Sequence, residues 1–326
     1  MTAPLRLSFS AASYAGRFRW WQPALVLGGV AAVFAVAVVP ISLVLRSSVA
    51  IQQRGFDPAE FSAEAVGLSE PLFLFLTLLP FPLALATLLL LTRRVHGRRA
   101  TTLSRAPGEG LRWGRALAGG ALWLALALLG QSLMAYLHPD RYAFAFEPER
   151  FWPTALTLAA LLPLQIAFEE LLLRGYFHQV TCRVFGRPVA GVCLTAAVFG
   201  ALHLSNPEVA RFGLGAMTAF YVGFGLLLGA VAVLDDGLEL ALGVHLATNL
   251  AATLCVNYAG SALPTASVFR ALDYEPGLVL ATFAVQAGAF VLAFAKTSAW
   301  QLDDLFKPVP PPSLAEALPT ADNSVS

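Results

Sequence analysis

Two adjacent glutamates, Glu169 and Glu170, stand in an apolar stretch and are followed four residues later by Arg174. Further along come Phe199 with His203 and then His245 with Asn249, each pair four residues apart and again in apolar surroundings. Ionisable groups inside segments long enough to cross a bilayer are costly, so by default they mark a functional site. Together these side chains are hydrolytic equipment. A carboxylate can take a proton from water, an imidazole can carry one, and an amide N–H can hold a developing oxyanion. The residues point to chemistry carried out within a membrane.

Helical spacing sorts the members. Neighbouring residues point about 100° apart, whereas positions i and i+4 share a face. Arg174 can therefore reach back to Glu170, with the acid N-terminal to the base. Glu169 is turned to another face and has no cation of its own. An ion pair is the expected role of Glu170 and Arg174, and the expense of an unpaired buried carboxylate makes Glu169 the candidate for chemistry. Phe199 and His203 share one helical face, with the ring able to wall the imidazole. His245 and Asn249 repeat the arrangement, and side by side they could stabilise an oxyanion in a water-poor cavity. Interhelical hydrogen bonding is the bland alternative for that pair.

The chain that must position them has 326 residues, 57% hydrophobic and only 13% charged, with a mean hydropathy of +0.69. A soluble domain carries about 25% charged residues, so this balance defines a multi-spanning membrane protein. The net charge of +1 gives no argument for nucleic acid. The three cysteines, Cys182, Cys193 and Cys255, show no CxxC spacing and provide no disulfide framework. A thiol protease would need Cys182 or Cys193 beside a histidine, and Cys193 lies about 15 Å from His203 by helical rise.

A helical span needs about 20 apolar residues. Eight segments qualify, at roughly 22–45, 71–92, 116–137, 152–173, 189–205, 213–234, 238–258 and 276–296. The predicted fold is all-α, a polytopic transmembrane bundle. The first apolar run exceeds the roughly 7–15 residues of a cleavable signal and is read as a retained span. Pro71, Pro80 and Pro82 predict a kink or interruption in the second span. The fifth is short and ends at Ser205-Asn206-Pro207. The expected organisation is a three-span N-terminal region over 1–150, a core carrying the motifs over 151–260, a final span within 261–307 and a disordered tail over 308–326.

Arginine distribution gives the orientation. Arg93, Arg94, Arg98, Arg99, Arg105, Arg112 and Arg115 lie between spans two and three, Arg17 and Arg19 precede span one, and Arg183 and Arg187 lie between spans four and five. The alternate loops are more acidic, as at Asp57, Glu60, Glu64 and Glu70. Both termini are expected in the cytoplasm of a prokaryotic cell. The Asp235-Asp236 turn departs from this pattern. Spans four and five should form a hairpin turning at Gly186-Arg187-Pro188, which sets Glu169 and His203 at nearly the same height.

The order Glu-Glu-x-x-x-Arg-Gly, Phe-x-x-x-His and His-x-x-x-Asn resembles the CAAX protease and bacteriocin-processing (Abi) superfamily of intramembrane peptidases. Its eukaryotic relatives are the type II CAAX prenyl endopeptidases. The resemblance covers about residues 165–250. It implies a metal-independent, glutamate-dependent endopeptidase without a cofactor, buried in a helical bundle. On that pattern Glu169 activates the attacking water, assisted by His203, while His245 and Asn249 hold the oxyanion. Glu170 with Arg174 orders the helix, and Phe199 faces the substrate. The implied partners are a peptide or small membrane-protein substrate and the lipid bilayer. One rival is a zinc hydrolase with Glu169, His203 and His245 as ligands, although no His-Glu-x-x-His helix is present. A non-enzymatic scaffold, immunity protein or transporter is the other. No repeated half with matched broken helices supports a transporter.

Overall fold

A computed structural model describes residues 7–47, 62–273, 275–298, 300–309 and 311. Asp57, Glu60 and nearly all of the tail predicted to be disordered lie outside these described residues.

The first span is made by α1 (Gln22–Ala37) and α2 (Val39–Ser47). They meet at Val38, two residues ahead of Pro40, whose missing N–H and ring weaken the helix at that point. The second span divides into α3 (Glu70–Leu78) and α4 (Pro80–His96), with the break at Leu79 where the prolines predict it. Next come α5 (Trp113–Leu137) and α6 (Pro148–Glu170). A π-helical segment, Leu171–Phe177, continues α6 into α7 (His178–Phe185). This run of 38 residues is about 57 Å long, against about 30 Å of hydrocarbon, so it projects beyond the membrane. Gly186 ends it in the left-handed conformation and Pro188 opens the next helix, forming the expected hairpin.

The remaining elements are α8 (Pro188–Leu202), α9 (Pro207–Phe212), α10 (Leu214–Leu234), α11 (Glu239–Leu250) and α12 (Pro276–Ser298). A second π-helical segment, Ala251–Cys255, extends α11. Six of the eight expected spans have the length and apolar character to cross a membrane. The fifth and seventh, Pro188–Leu202 and Glu239–Cys255, fall below the length expected of them. With its 15 residues α8 rises about 22 Å and stops short of crossing. Irregular backbone at membrane depth is tolerated where it lines a cavity, and His203 begins such a stretch.

The protein is an all-α, multi-pass membrane protein. Leu117, Leu129, Leu133, Leu156, Val285 and Leu292 point outward from the bundle, where a soluble helix would carry polar residues. The largest buried apolar cluster joins Trp123, Phe199, Phe224, Leu240 and Phe290. Small residues let the backbones approach closely, as is usual between membrane helices. A Cβ on Gly120 of α5 would lie 3.0 Å from the Gly243 carbonyl of α11, and one on Gly243 would strike the Ala116 carbonyl. This contact seats the helix that carries His245 and Asn249. Gly243→Leu is expected to cost at least the 1–3 kcal/mol typical of overpacking and to lower the thermal unfolding midpoint in detergent. Gly28→Ala, where an added Cβ meets nothing within 4 Å, serves as the control.

The two ends of the bundle differ. At one end Arg112 pairs with Asp235 and Glu239, both at 2.8 Å, and Arg115 also reaches Asp235. Arginines of the 97–115 segment thus neutralise the turn that departed from the charge pattern. At the other end three short strands tie the loops together, β1 (Tyr142–Phe144), β2 (Val256–Tyr258) and β3 (Phe269–Ala271). Their order is β1-β3-β2, with β1 antiparallel and β2 parallel to β3. Glu70 joins them by accepting from the Ala266 amide at 2.5 Å.

Candidate active site

The site begins where α6 changes its winding. The amide of His178 bonds to the carbonyl of Leu173, five residues back, and such π turns often occur at functional sites. Gly175 is required there, since a Cβ would come within 2.5 Å of the Leu103 carbonyl. From this wider turn Arg174 donates through Nη1 to Oε1 of Glu170 at 2.8 Å, and both side chains are fully buried. The guanidinium also lies over the Phe199 ring, 4.6 Å from its centre, a cation–π contact.

Glu170 serves a second partner. Nδ1 of His245 lies 2.8 Å from the same Oε1. An ionised carboxylate can only accept, so Nδ1 carries the proton of this bond. That orients the ring and turns Nε2 towards Oε2 of Glu169, 3.7 Å away. The other oxygen of Glu169 accepts from Gln165 Nε2 at 3.1 Å. Its Oε2 is buried without a hydrogen-bond partner. Phe199 fixes the ring from the side, 5.9 Å between centres and close to perpendicular.

Glu169, His245, Phe199, His203 and Asn249 all line one cavity of about 300 Å³. His203 caps α8 and donates through Nδ1 to the Phe199 carbonyl at 2.7 Å, leaving Nε2 for other partners. Its ring packs against Phe199 at 4.2 Å and Tyr221 at 4.6 Å, tilted to both. The sequence-predicted residues therefore assemble, but not in the expected pairs. The imidazole nearest Glu169 is His245, and Glu170 holds that imidazole as well as pairing with Arg174.

Sequence reasoning missed Gln165 and Glu208. Gln165 had a signal, since it stands four residues before Glu169 on the same face. Glu208 comes from the short α9, where no spacing connects it to the motifs. Burial raises its carboxyl above the usual range, against the opposing effect of the Ala262 amide and two tyrosine hydroxyls. Cys182 does meet an imidazole, His178, at 3.3 Å, but the pair is buried outside the cavity. Among the described residues no group of three His, Cys, Asp or Glu side chains is disposed to hold a metal ion.

A polytopic helical membrane protein with paired glutamates, an arginine one turn on and two histidines around a cavity defines the class. Residues 150–251 match the family described as type II CAAX prenyl endopeptidase Rce1-like. The chain is also 30% identical over 195 residues to YyaK, an uncharacterized protein of Bacillus subtilis, covering 58% of this chain and 64% of that one. The match thus spans less than two thirds of that relative. No solved structure matches the chain.

Proposed function

We propose that the protein is a membrane endopeptidase that hydrolyses peptide bonds with water activated by Glu169. The observation that carries this reading is Glu169, which lines the cavity and keeps a buried Oε2 without a hydrogen-bond partner, 3.7 Å from Nε2 of His245. A water held there gives up a proton to Glu169 as its oxygen bonds to the peptide carbonyl carbon. The carbonyl electrons move onto oxygen, where the Asn249 carboxamide donates to it, with the His245 ring held at the same cavity by Glu170. Collapse of the tetrahedral species breaks the C–N bond, and the leaving amine takes the proton held by Glu169. His203 helps to position the water from the same cavity.

The substrate is a peptide or small membrane protein, and the protein resides in a prokaryotic cytoplasmic membrane with both termini inside. Cleavage of a pooled peptide library by the detergent-solubilised protein tests the reading. Activity is expected to survive a strong chelator unchanged. Activity lost to chelator and restored by zinc would move the assignment to a metal hydrolase with Glu169, His203 and His245 as ligands.

A further inference from the structure

The cavity extends from the glutamate pair towards the end of the bundle that carries the small sheet, and its lining is lopsided in charge. Glu169 and Glu208 line it, whereas no lysine or arginine among the described residues does. Aromatic side chains, among them Trp123, Phe220, Tyr221 and Tyr258, supply much of the remaining wall. Carboxylates and aromatic faces without a competing cation form a receptor for positive charge.

Glu208 is built into that wall, being only 5% exposed. Its Oε1 accepts from the Ala262 amide at 2.7 Å and from the Tyr258 hydroxyl at 3.3 Å, which fastens the 256–263 loop over the cavity. Its Oε2 is buried and has no hydrogen-bond partner. One oxygen is therefore structural, while the other is enclosed in the wall of the cavity that Glu208 lines, where the Tyr221 hydroxyl also acts on this carboxyl. The position is close to the reacting groups. Asn206, two residues earlier, donates to the Tyr221 hydroxyl at 3.1 Å, and the Tyr221 ring packs against His203 at 4.6 Å.

We infer that Glu208 is a specificity-determining residue, binding through Oε2 a lysine or arginine side chain of the substrate that flanks the scissile bond. The inference rests on the endopeptidase reading above. A buried carboxylate without a cation is costly in the free protein, and a guanidinium or ammonium group supplies the missing partner. The neighbouring aromatic rings pack against the methylene stem of such a side chain. Preferred substrates are then basic next to the cleaved bond and extended into the half of the cavity lined by Phe220 and Phe224.

The test uses two matched nonapeptide libraries, one with lysine and the other with norleucine fixed at the centre. Each is offered to the full-length protein in detergent. The wild type is expected to cleave the lysine library about 10- to 100-fold more efficiently, as for a hydrogen bond to a charged group. Glu208→Gln, whose Oε1 can still accept from Ala262, brings that ratio close to one, while Glu208→Asp retains a preference for lysine. The inference is overturned by a wild-type ratio near one or by an unchanged ratio in Glu208→Gln. Either result leaves the endopeptidase reading standing, because cleavage is still observed. Binding of the same libraries to Glu169→Gln protein separates the two ideas. Preferential capture of the lysine library that depends on Glu208, with no cleavage by the wild type, would keep the binding site and sink the enzyme. Indifferent capture would sink the binding site.

Discussion

Glu169→Gln is expected to lower kcat/KM on any peptide the protein cleaves by about 10²- to 10⁴-fold, the range of general base catalysis. The thermal unfolding midpoint should stay where it was. The amide keeps an oxygen able to accept from Gln165, as Oε1 of Glu169 does at 3.1 Å. What changes is the other position, where an unpartnered anionic acceptor becomes an NH₂ group. A neutral amide cannot take the water proton, so the loss should fall on kcat with KM little affected. This split separates a base from a binding group. Full activity in Glu169→Gln would place the base elsewhere, with His203 the next candidate. Equal loss of activity and of folded protein would make Glu169 structural.

The parts of the fold that could be read in sequence are those set by local rules. Gly186-Arg187-Pro188 makes its turn because glycine tolerates the left-handed conformation and proline opens the next helix. Pro80 ends α3 as its missing N–H requires. The Glu170–Arg174 pair follows from i, i+4 geometry alone. Counting rise along the hairpin put Glu169 and His203 at one height, but rise says nothing of the direction in which each side chain points. The bond from His245 to Glu170 crosses 75 residues, and no local periodicity reports it.

Helix length and winding were less legible. The apolar runs around α8 and α11 continue past the helices, because hydrophobicity marks depth in the bilayer and not hydrogen-bond pattern. Both π-helical segments begin within two residues of a motif, after Glu170 and after Asn249. Their sequences, Leu-Leu-Leu-Arg-Gly-Tyr-Phe and Ala-Ala-Thr-Leu-Cys, carry no signature of the wider turn. Glu208 was invisible for a related reason. It belongs to the short helix α9, whose place at the cavity wall is set by tertiary packing and not by any local pattern.

Arg174→Met should be the most destabilising of these substitutions. It leaves Glu170 fully buried with only His245 as a partner. Breaking a buried pair by removing one partner costs about 3–5 kcal/mol, which corresponds to a fall in unfolding midpoint on the order of 10 °C. The cation–π contact with Phe199 is lost at the same time. Adding Glu170→Gln to Arg174→Met removes the stranded charge, so the double variant should recover part of the midpoint. It should not recover activity, because His245 Nδ1 then faces a neutral amide and the ring loses the anion that orients Nε2 towards Glu169. The comparison separates two roles that one residue carries. Stability follows the charge balance of the pair, and turnover follows the orientation of His245. Activity restored in the double variant would reduce Glu170 to a counter-ion. An unaffected midpoint in Arg174→Met would mean that the buried pair contributes nothing the surrounding bundle does not already supply.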